Sequence, residues 1–206
     1  MIERWDIITI GNISRNRYWG ERDDTAYRPA ICTCTLIQGD NFCLLVDPSL
    51  KEEEAMANEL FRRTGKQLMD VDRVFITHAH GDHHYGLKHF PHARWLAAPP
   101  VAELLNQSGH YTKAVAPATN PLLGEMEILH TPGHTLHHYS LRFDCEGRSV
   151  VIAADAAVTR DYWNDRQGYF NSEDFAAASA SMETLAAVAD VIVPGHDNYF
   201  WVKRKM

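Results

Sequence analysis

Five side chains able to bind a metal ion or carry a proton fall within eight residues, Thr77-His78-Ala79-His80-Gly81-Asp82-His83-His84. Imidazole nitrogen and carboxylate oxygen are the donor types that divalent zinc, iron and manganese accept. His78 and His80 are two apart, so in extended backbone they project from the same side and can grip one ion together. Asp82 and His83 lie one turn further on, where a helix is predicted to begin, and can grip a second ion. The bland alternative is a solvated, His-rich loop that takes up metal only adventitiously.

Three other places in the chain set a possible ligand beside small or turn-forming residues, just past an apolar run. Thr131-Pro132-Gly133-His134-Thr135 follows Ile128-Leu129, Asp155 follows Val150-Val151-Ile152-Ala153-Ala154, and Pro194-Gly195-His196-Asp197 follows Val191-Ile192-Val193. Proline fixes the backbone and glycine permits tight geometry, so Pro-Gly-His twice in one chain places an imidazole at a sharp turn beyond a rigid strand. A carboxylate at the end of a strand as apolar as 150–154 is costly to desolvate unless it has a partner, and a metal ion removes that cost.

The elements that must carry these residues can be read from periodicity and punctuation. Strands are predicted at 7–10, 30–37, 42–46, 71–76, 94–97, 126–129, 138–143, 150–153 and 191–193, with Gly39-Asp40-Asn41 as a hairpin turn. Helices are predicted from Ser49 or Leu50 to Thr64, over 83–89, 101–107 and 173–188, the last with Phe175, Ser179, Met182, Leu185 and Ala186 near one face. Strands in meandering runs punctuated by helices suit two packed sheets with helices outside better than a strictly alternating parallel fold. The long polar segment 12–27 is placed to overhang a site. Tyr18, Trp19, Tyr162, Trp163, Tyr169 and Phe170 sit in such polar stretches, where they either form an aromatic rim over a groove or pack locally.

Composition narrows the class. The 206 residues, 45% hydrophobic, suffice for one domain spanning 1–206 with a proper core. A net charge of -7 argues against a broad electrostatic grip on nucleic acid, and the one basic run, Lys203-Arg204-Lys205, reads as a solvated tail. Cys32, Cys34, Cys43 and Cys145 lack zinc-ribbon spacing and read as buried free thiols. With no signal-like N-terminus and no bilayer-spanning apolar run, the expected setting is cytoplasmic, with no membrane partner.

Taken together, His78-Ala79-His80-Gly81-Asp82-His83, His134, Asp155 and His196, with Leu45-Val46-Asp47-Pro48 before them, resemble the metallo-β-lactamase-fold superfamily in identity and order. The segments 89–94 and 189–196 are similar to the group of metallo-β-lactamase domain-containing protein 1, with Asp197-Asn198-Tyr199 a departure from its pattern. The resemblance implies an α+β fold, a four-layer αββα sandwich with the metals in a groove at one edge of the sheets. It assigns His78, His80 and His134 to a first ion, Asp82, His83 and His196 to a second, and Asp155 to both. Two divalent ions are the implied cofactors, zinc first, with iron or manganese possible.

Asp82 is then the candidate to orient the attacking water and pass on its proton, and Asp47 a candidate to accept a ligand imidazole N–H. His84 is expected outside the ligand set, though able to line the groove, and structural roles are expected for His137 and His138; His89, His92, His110 and His130 show no ligand spacing. The expected function is a dinuclear hydrolase of a small ester, thioester or lactone. Alternatives on the same scaffold are a phosphodiesterase or nuclease and a mononuclear iron sulfur dioxygenase; a binding module with an inert metal site is the non-enzyme alternative. The Asp155 position argues against penicillin hydrolysis, His80 against a flavin-linked diiron role, and the short stretch after His196 against a glyoxalase II with its added domain.

Overall fold

The computed structural model describes residues 1–202, so the basic run at 203–205 lies outside the described residues. One sheet contains β1 (Ile2–Thr9), β2 (Cys34–Gly39), β3 (Phe42–Val46), β4 (Arg73–Ile76), β5 (Arg94–Ala97) and β6 (Ala116–Pro117), in that order. The other contains β7 (Glu127–His130), β8 (Tyr139–Cys145), β9 (Arg148–Ala154), β10 (Val191–Pro194) and β11 (Phe200–Trp201), in the order β11-β10-β9-β8-β7. The helices are α1 (Glu53–Thr64), α2 (Gly81–His84), α3 (Pro99–Gln107), α4 (Arg160–Asp165) and α5 (Phe175–Val188). The result is the expected αββα sandwich.

Strand alternation explains the layers. In β9, Val150 and Ile152 join the large core, which also holds Leu44 and Phe75 of the first sheet and Leu141 and Phe143 of β8. Val151 and Ala153 face the other way, into a smaller core shared with Met182 and Leu185 of α5. The neighbouring β10 runs parallel in matched register, with Val191 and Val193 on the inner face and Ile192 on the outer. Both faces are apolar because both are covered, as parallel strands require. Met56 and Leu60 of α1 and Val101, Ala102 and Leu105 of α3 complete the large core.

Several boundaries differ from the sequence-based expectation, each for a tertiary reason. The first strand starts at Ile2 rather than Ile7, because the polar Glu3-Arg4 stretch lies on a sheet edge and pairs with 38–39. Residues 30–33 leave the ladder: the Thr33 N–H donates to the Gly195 carbonyl and its hydroxyl to the Asp197 carbonyl. The segment 83–89 is two short turns, α2 and 87–89, divided at Gly86, whose N–H bonds the Pro48 carbonyl. In α5 the buried face is Ala178, Ser181, Met182 and Leu185, whereas Phe175 is 50% exposed. The strands β6 and β11 and the helix α4, too short for periodicity to register, were not predicted.

No helix among the described residues is long and apolar enough to cross a membrane. All four cysteines are free and buried. Phe75, fully buried in the large core, gives a direct test of that core: Phe75→Ala is expected to lower unfolding free energy by about 3–5 kcal/mol in denaturant titrations.

Candidate metal centre

Every candidate ligand sits just past the carboxyl end of a strand. His78 and His80 follow β4, Asp82 and His83 stand in α2, His134 follows β7, Asp155 follows β9 and His196 follows β10. The structure brings all seven together in two groups, His78, His80, His134 and Asp155 in one and Asp82, His83 and His196 in the other, the ligand atoms of each lying within 4.8 Å of one another.

Asp155 joins the groups. Its Oδ2 is 3.1 Å from His134 Nε2, while its Oδ1 is 3.1 Å from His83 Nε2 and 3.2 Å from His196 Nε2. Asp82 Oδ2 lies 3.5 Å from His196 Nε2, and His80 Nδ1 is 2.8 Å from His134 Nε2. Buried in this cluster, His78 Nε2, His83 Nε2 and Asp155 Oδ1 have no hydrogen-bond partner. Buried polar atoms are rarely left so, and here the orphans face one another across shared points. That donor set fits two divalent cations.

The ring nitrogens facing away from those points fix the tautomers. His83 Nδ1–H donates to Asp47 Oδ2 at 2.9 Å, and His196 Nδ1–H donates to the carbonyls of Asn12 and Ile31 at 3.0 and 2.9 Å. The Thr77 hydroxyl donates to Asp47 Oδ2 at 2.7 Å and lies 3.2 Å from His78 Nδ1, from which it accepts. Asp47 Oδ1 takes the Thr77 N–H at 2.9 Å. Asp47 thus holds His83 directly and His78 through Thr77, leaving their Nε2 lone pairs inward.

Local backbone geometry explains the small residues. A Cβ on Gly195 would lie 1.9 Å from Asp155 Oδ1, so only glycine lets the β10 turn pass the shared carboxylate. At Gly133, with φ of +131°, a Cβ would fall 2.2 Å from the backbone nitrogen of Ala178, where α5 packs against the His134 turn. Ala154, immediately before Asp155, is held at φ 45° and ψ -136°, a strained conformation for a residue with a Cβ.

Electrostatics follow from burial and these neighbours. Burial pushes His78 and His138 well below the usual imidazole range, pushes His80 down, and takes His134 down to about 4. Burial opposes the charged forms of His83 and His196 as well, yet the carboxylates of Asp155 and Asp47 hold His83 well above its ordinary value and Asp155 raises His196. For Asp155 burial pushes upward, but His196, His83 and His134 outweigh it and keep the group ionised. Burial pushes the Cys32 thiol up to about 12, so this neighbour of His83 is a neutral thiol.

A cavity of roughly 250 Å³ opens onto the cluster. Besides ligands, it is walled by Ile13, Ser14, Ala30, Tyr169, Phe170 and Asn171. The segment 12–27 thus reaches the site through Ile13 and Ser14, and Tyr169 Oη ties it down by donating to the Arg15 carbonyl at 3.0 Å. Of the six aromatics expected at a rim, Tyr169 and Phe170 line the cavity. Tyr162 and Trp163 do not: Tyr162 is fully buried with Ile13 and Val158, and Trp163 packs on Phe200 beside α5. Trp19 is 64% exposed and Tyr18 bonds Asp165, neither on the cavity wall. Sequence reasoning missed Ile13, Ser14, Ala30 and Asn171, which carry no pattern of their own.

Among the other histidines, His138 is fully buried, with Nδ1 2.9 Å from the Thr131 hydroxyl, and its ring packs 4.8 Å from that of His78. His89, His92 and His130 each bond a backbone carbonyl. His84 belongs to neither ligand group and faces a neighbouring cavity.

The family model described as the metallo-beta-lactamase superfamily matches residues 27–196. The chain belongs to this superfamily. Metallo-beta-lactamase domain-containing protein 1 of Xenopus laevis is 32% identical over 172 residues, covering 82% of this chain and 71% of that protein. An N-acyl homoserine lactonase of a Bacillus species is 27% identical over 166 residues, covering 73% of this chain and 65% of its own length. A putative metallo-beta-lactamase of Thermotoga maritima superposes with a TM-score of 0.72 at 18% identity, covering 97% of this chain and 99% of that one. The likeness to the superfamily inferred from motifs thus holds across most of the fold.

Two measurements check this account of the centre. Gly195→Ala is expected to displace Asp155 and reduce bound metal, read by mass spectrometry of the purified variant, while the far-ultraviolet circular dichroism is retained. In chelator-treated protein, His78, His80, His134 and His138 take up protons more readily unfolded than folded. Between the ordinary value of 6.5 and about 4, the unfolded state therefore binds more protons and stability falls as pH falls. His83 and His196, raised in the fold, are protonated in both states over that window and add no slope. Urea midpoints that stay level or rise on acidification would contradict it.

Proposed function

We propose that the chain is a metal-dependent hydrolase that holds two divalent cations and cleaves a small ester, thioester or lactone. The observation that carries this reading is the buried carboxylate of Asp155, one oxygen turned to His134 and the other to His83 and His196. His78, His80 and His134 would hold one ion, Asp82, His83 and His196 the other, and Asp155 both. Bound cations of this kind supply Lewis acidity, polarising a carbonyl oxygen and lowering the pKa of water from near 16 to about 7. Zinc best suits a set of imidazoles and carboxylates; iron and manganese suit it too.

The remaining work falls to the chain. Asp82, its side chain 18% exposed at the cavity wall, is placed to accept a proton from the attacking water and return it to the departing oxygen or sulfur. Asp47 and Thr77 keep His83 and His78 in the tautomers that present Nε2. Ile13, Ala30, Tyr169 and Phe170 give the cavity an apolar wall that suits an acyl group, with Ser14 and Asn171 as hydrogen-bonding groups at its side. The lactonase among the relatives favours a cyclic or open carboxylic ester as substrate.

The test joins metal analysis to an assay panel of aryl esters, lactones, thioesters and bis-nitrophenyl phosphate. His80→Ala and Asp155→Ala are each expected to lower both metal content and turnover by orders of magnitude. Asp82→Asn is expected to cut turnover more than it cuts occupancy of the three-histidine group. Wild-type rates with matched metal content in those variants would sink the mechanism, and cleavage of the phosphodiester alone would replace the acyl substrate with a phosphoryl one.

A further inference from the structure

Across Gly81 from the metal pocket lies a second cavity, of roughly 550 Å³, bounded by Lys51, Lys88, His110, Tyr85 and Tyr111, with Glu52 the one carboxylate in its lining. The chain as a whole carries a net charge of -7, so this gathering of bases runs against the sign of the molecule. Among the described residues neither lysine is ion-paired, and the adjacent Glu53 faces His89 at 3.7 Å.

The lining is ordered. Lys51 Nζ stands 4.2 Å from the centroid of the Tyr85 ring, a contact that restrains a flexible side chain without neutralising it. Tyr85 in turn rests against Gly81, where a Cβ would meet the ring at 2.8 Å. On the opposite wall the Tyr111 hydroxyl donates to the His84 carbonyl at 2.7 Å and lies 2.6 Å from His84 Nδ1. Ala79 and Gly81 line this cavity, and His80, Gly81 and Asp82 line the metal pocket, so the motif itself is the partition. Gly81 borders both cavities, so a ligand lying over that partition touches both sides.

We propose that this cavity receives an anionic group, a carboxylate or phosphate, carried by the same substrate whose acyl carbonyl is cleaved in the metal pocket. The inference rests on the hydrolase function proposed above and adds to it that the substrate is bipartite. Two ammonium groups and the Tyr85 hydroxyl match the charge and the acceptor oxygens of such a group. The contact is remote from the reacting bond and binds ground and transition states alike, so it acts on KM and leaves kcat nearly untouched.

The test uses para-nitrophenyl half esters of linear dicarboxylic acids, in a series of increasing length, beside neutral para-nitrophenyl alkanoates of equal length, on the metal-loaded enzyme. At the length that spans the partition, kcat/KM for the half ester is expected to exceed that of its neutral counterpart about tenfold, equivalent to about 1.4 kcal/mol. In the Lys51→Gln/Lys88→Gln double variant, that ratio is expected to collapse toward one through KM. Both lysines are exposed, so the core is left intact. A series with no gap at any length, or a gap that survives loss of both lysines, overturns the proposal. If no ester is cleaved, the hydrolase reading fails, and the cavity is read separately by calorimetric titration with inorganic phosphate. Binding weakened in the double variant supports an anion site; equal binding by both proteins, or binding by neither, overturns it.

Discussion

The centre depends on the burial of one negative charge. Asp155 is 6% exposed, and an isolated carboxylate at that depth costs far more than folding can spare. Three imidazole nitrogens stand 3.1–3.2 Å from its two oxygens, and their pull keeps it ionised against the opposing effect of burial. The same carboxylate raises His83 and His196, while burial outweighs its pull at His78, His80 and His134 and drives them neutral. The pocket is therefore divided electrically. One half presents neutral nitrogens, and the other gathers carboxylates around two imidazoles.

The sandwich exists in a form that can hold that charge still. Parallel pairs β3/β4 and β9/β10 deliver Asp47, His78, Asp155 and His196 from strand ends that are buried and cannot drift. Where the backbone must bend sharply to meet the carboxylate, the chain accepts local strain at Ala154 and removes a side chain at Gly195. The strain persists because β9 and β10 are fixed on both faces, by the large core on one side and by α5 on the other.

What could be read from the sequence was what has a period or a rigid punctuation. The apolar runs before His78, His134, Asp155 and His196 announced strands, and Pro-Gly-His announced the turns beyond them. The convergence of seven scattered side chains was legible through their order. Burial of Tyr162 and Trp163 was not, because a polar stretch such as 159–166 gives no sign that α4 folds back onto Val158 and Phe200. The loss of ladder pairing at 30–33 was equally hidden: Thr33 forsakes the sheet for Gly195 and Asp197, a competition settled only in three dimensions. The cavity wall from Ile13, Ser14 and Asn171 is of the same kind, since nothing local distinguishes those residues.

That last stitch has a temporal consequence. His196 donates to the Ile31 carbonyl and Thr33 donates to Gly195, contacts between residues more than 160 positions apart. Long-range closure of this sort is entropically slow, and it requires two distant segments of the chain at once. During translation the three-histidine half can be assembled as soon as His134 and Asp155 have emerged from the ribosome. Its companion must wait for His196, so a nascent chain passes through a stage with one half-built centre before it has two.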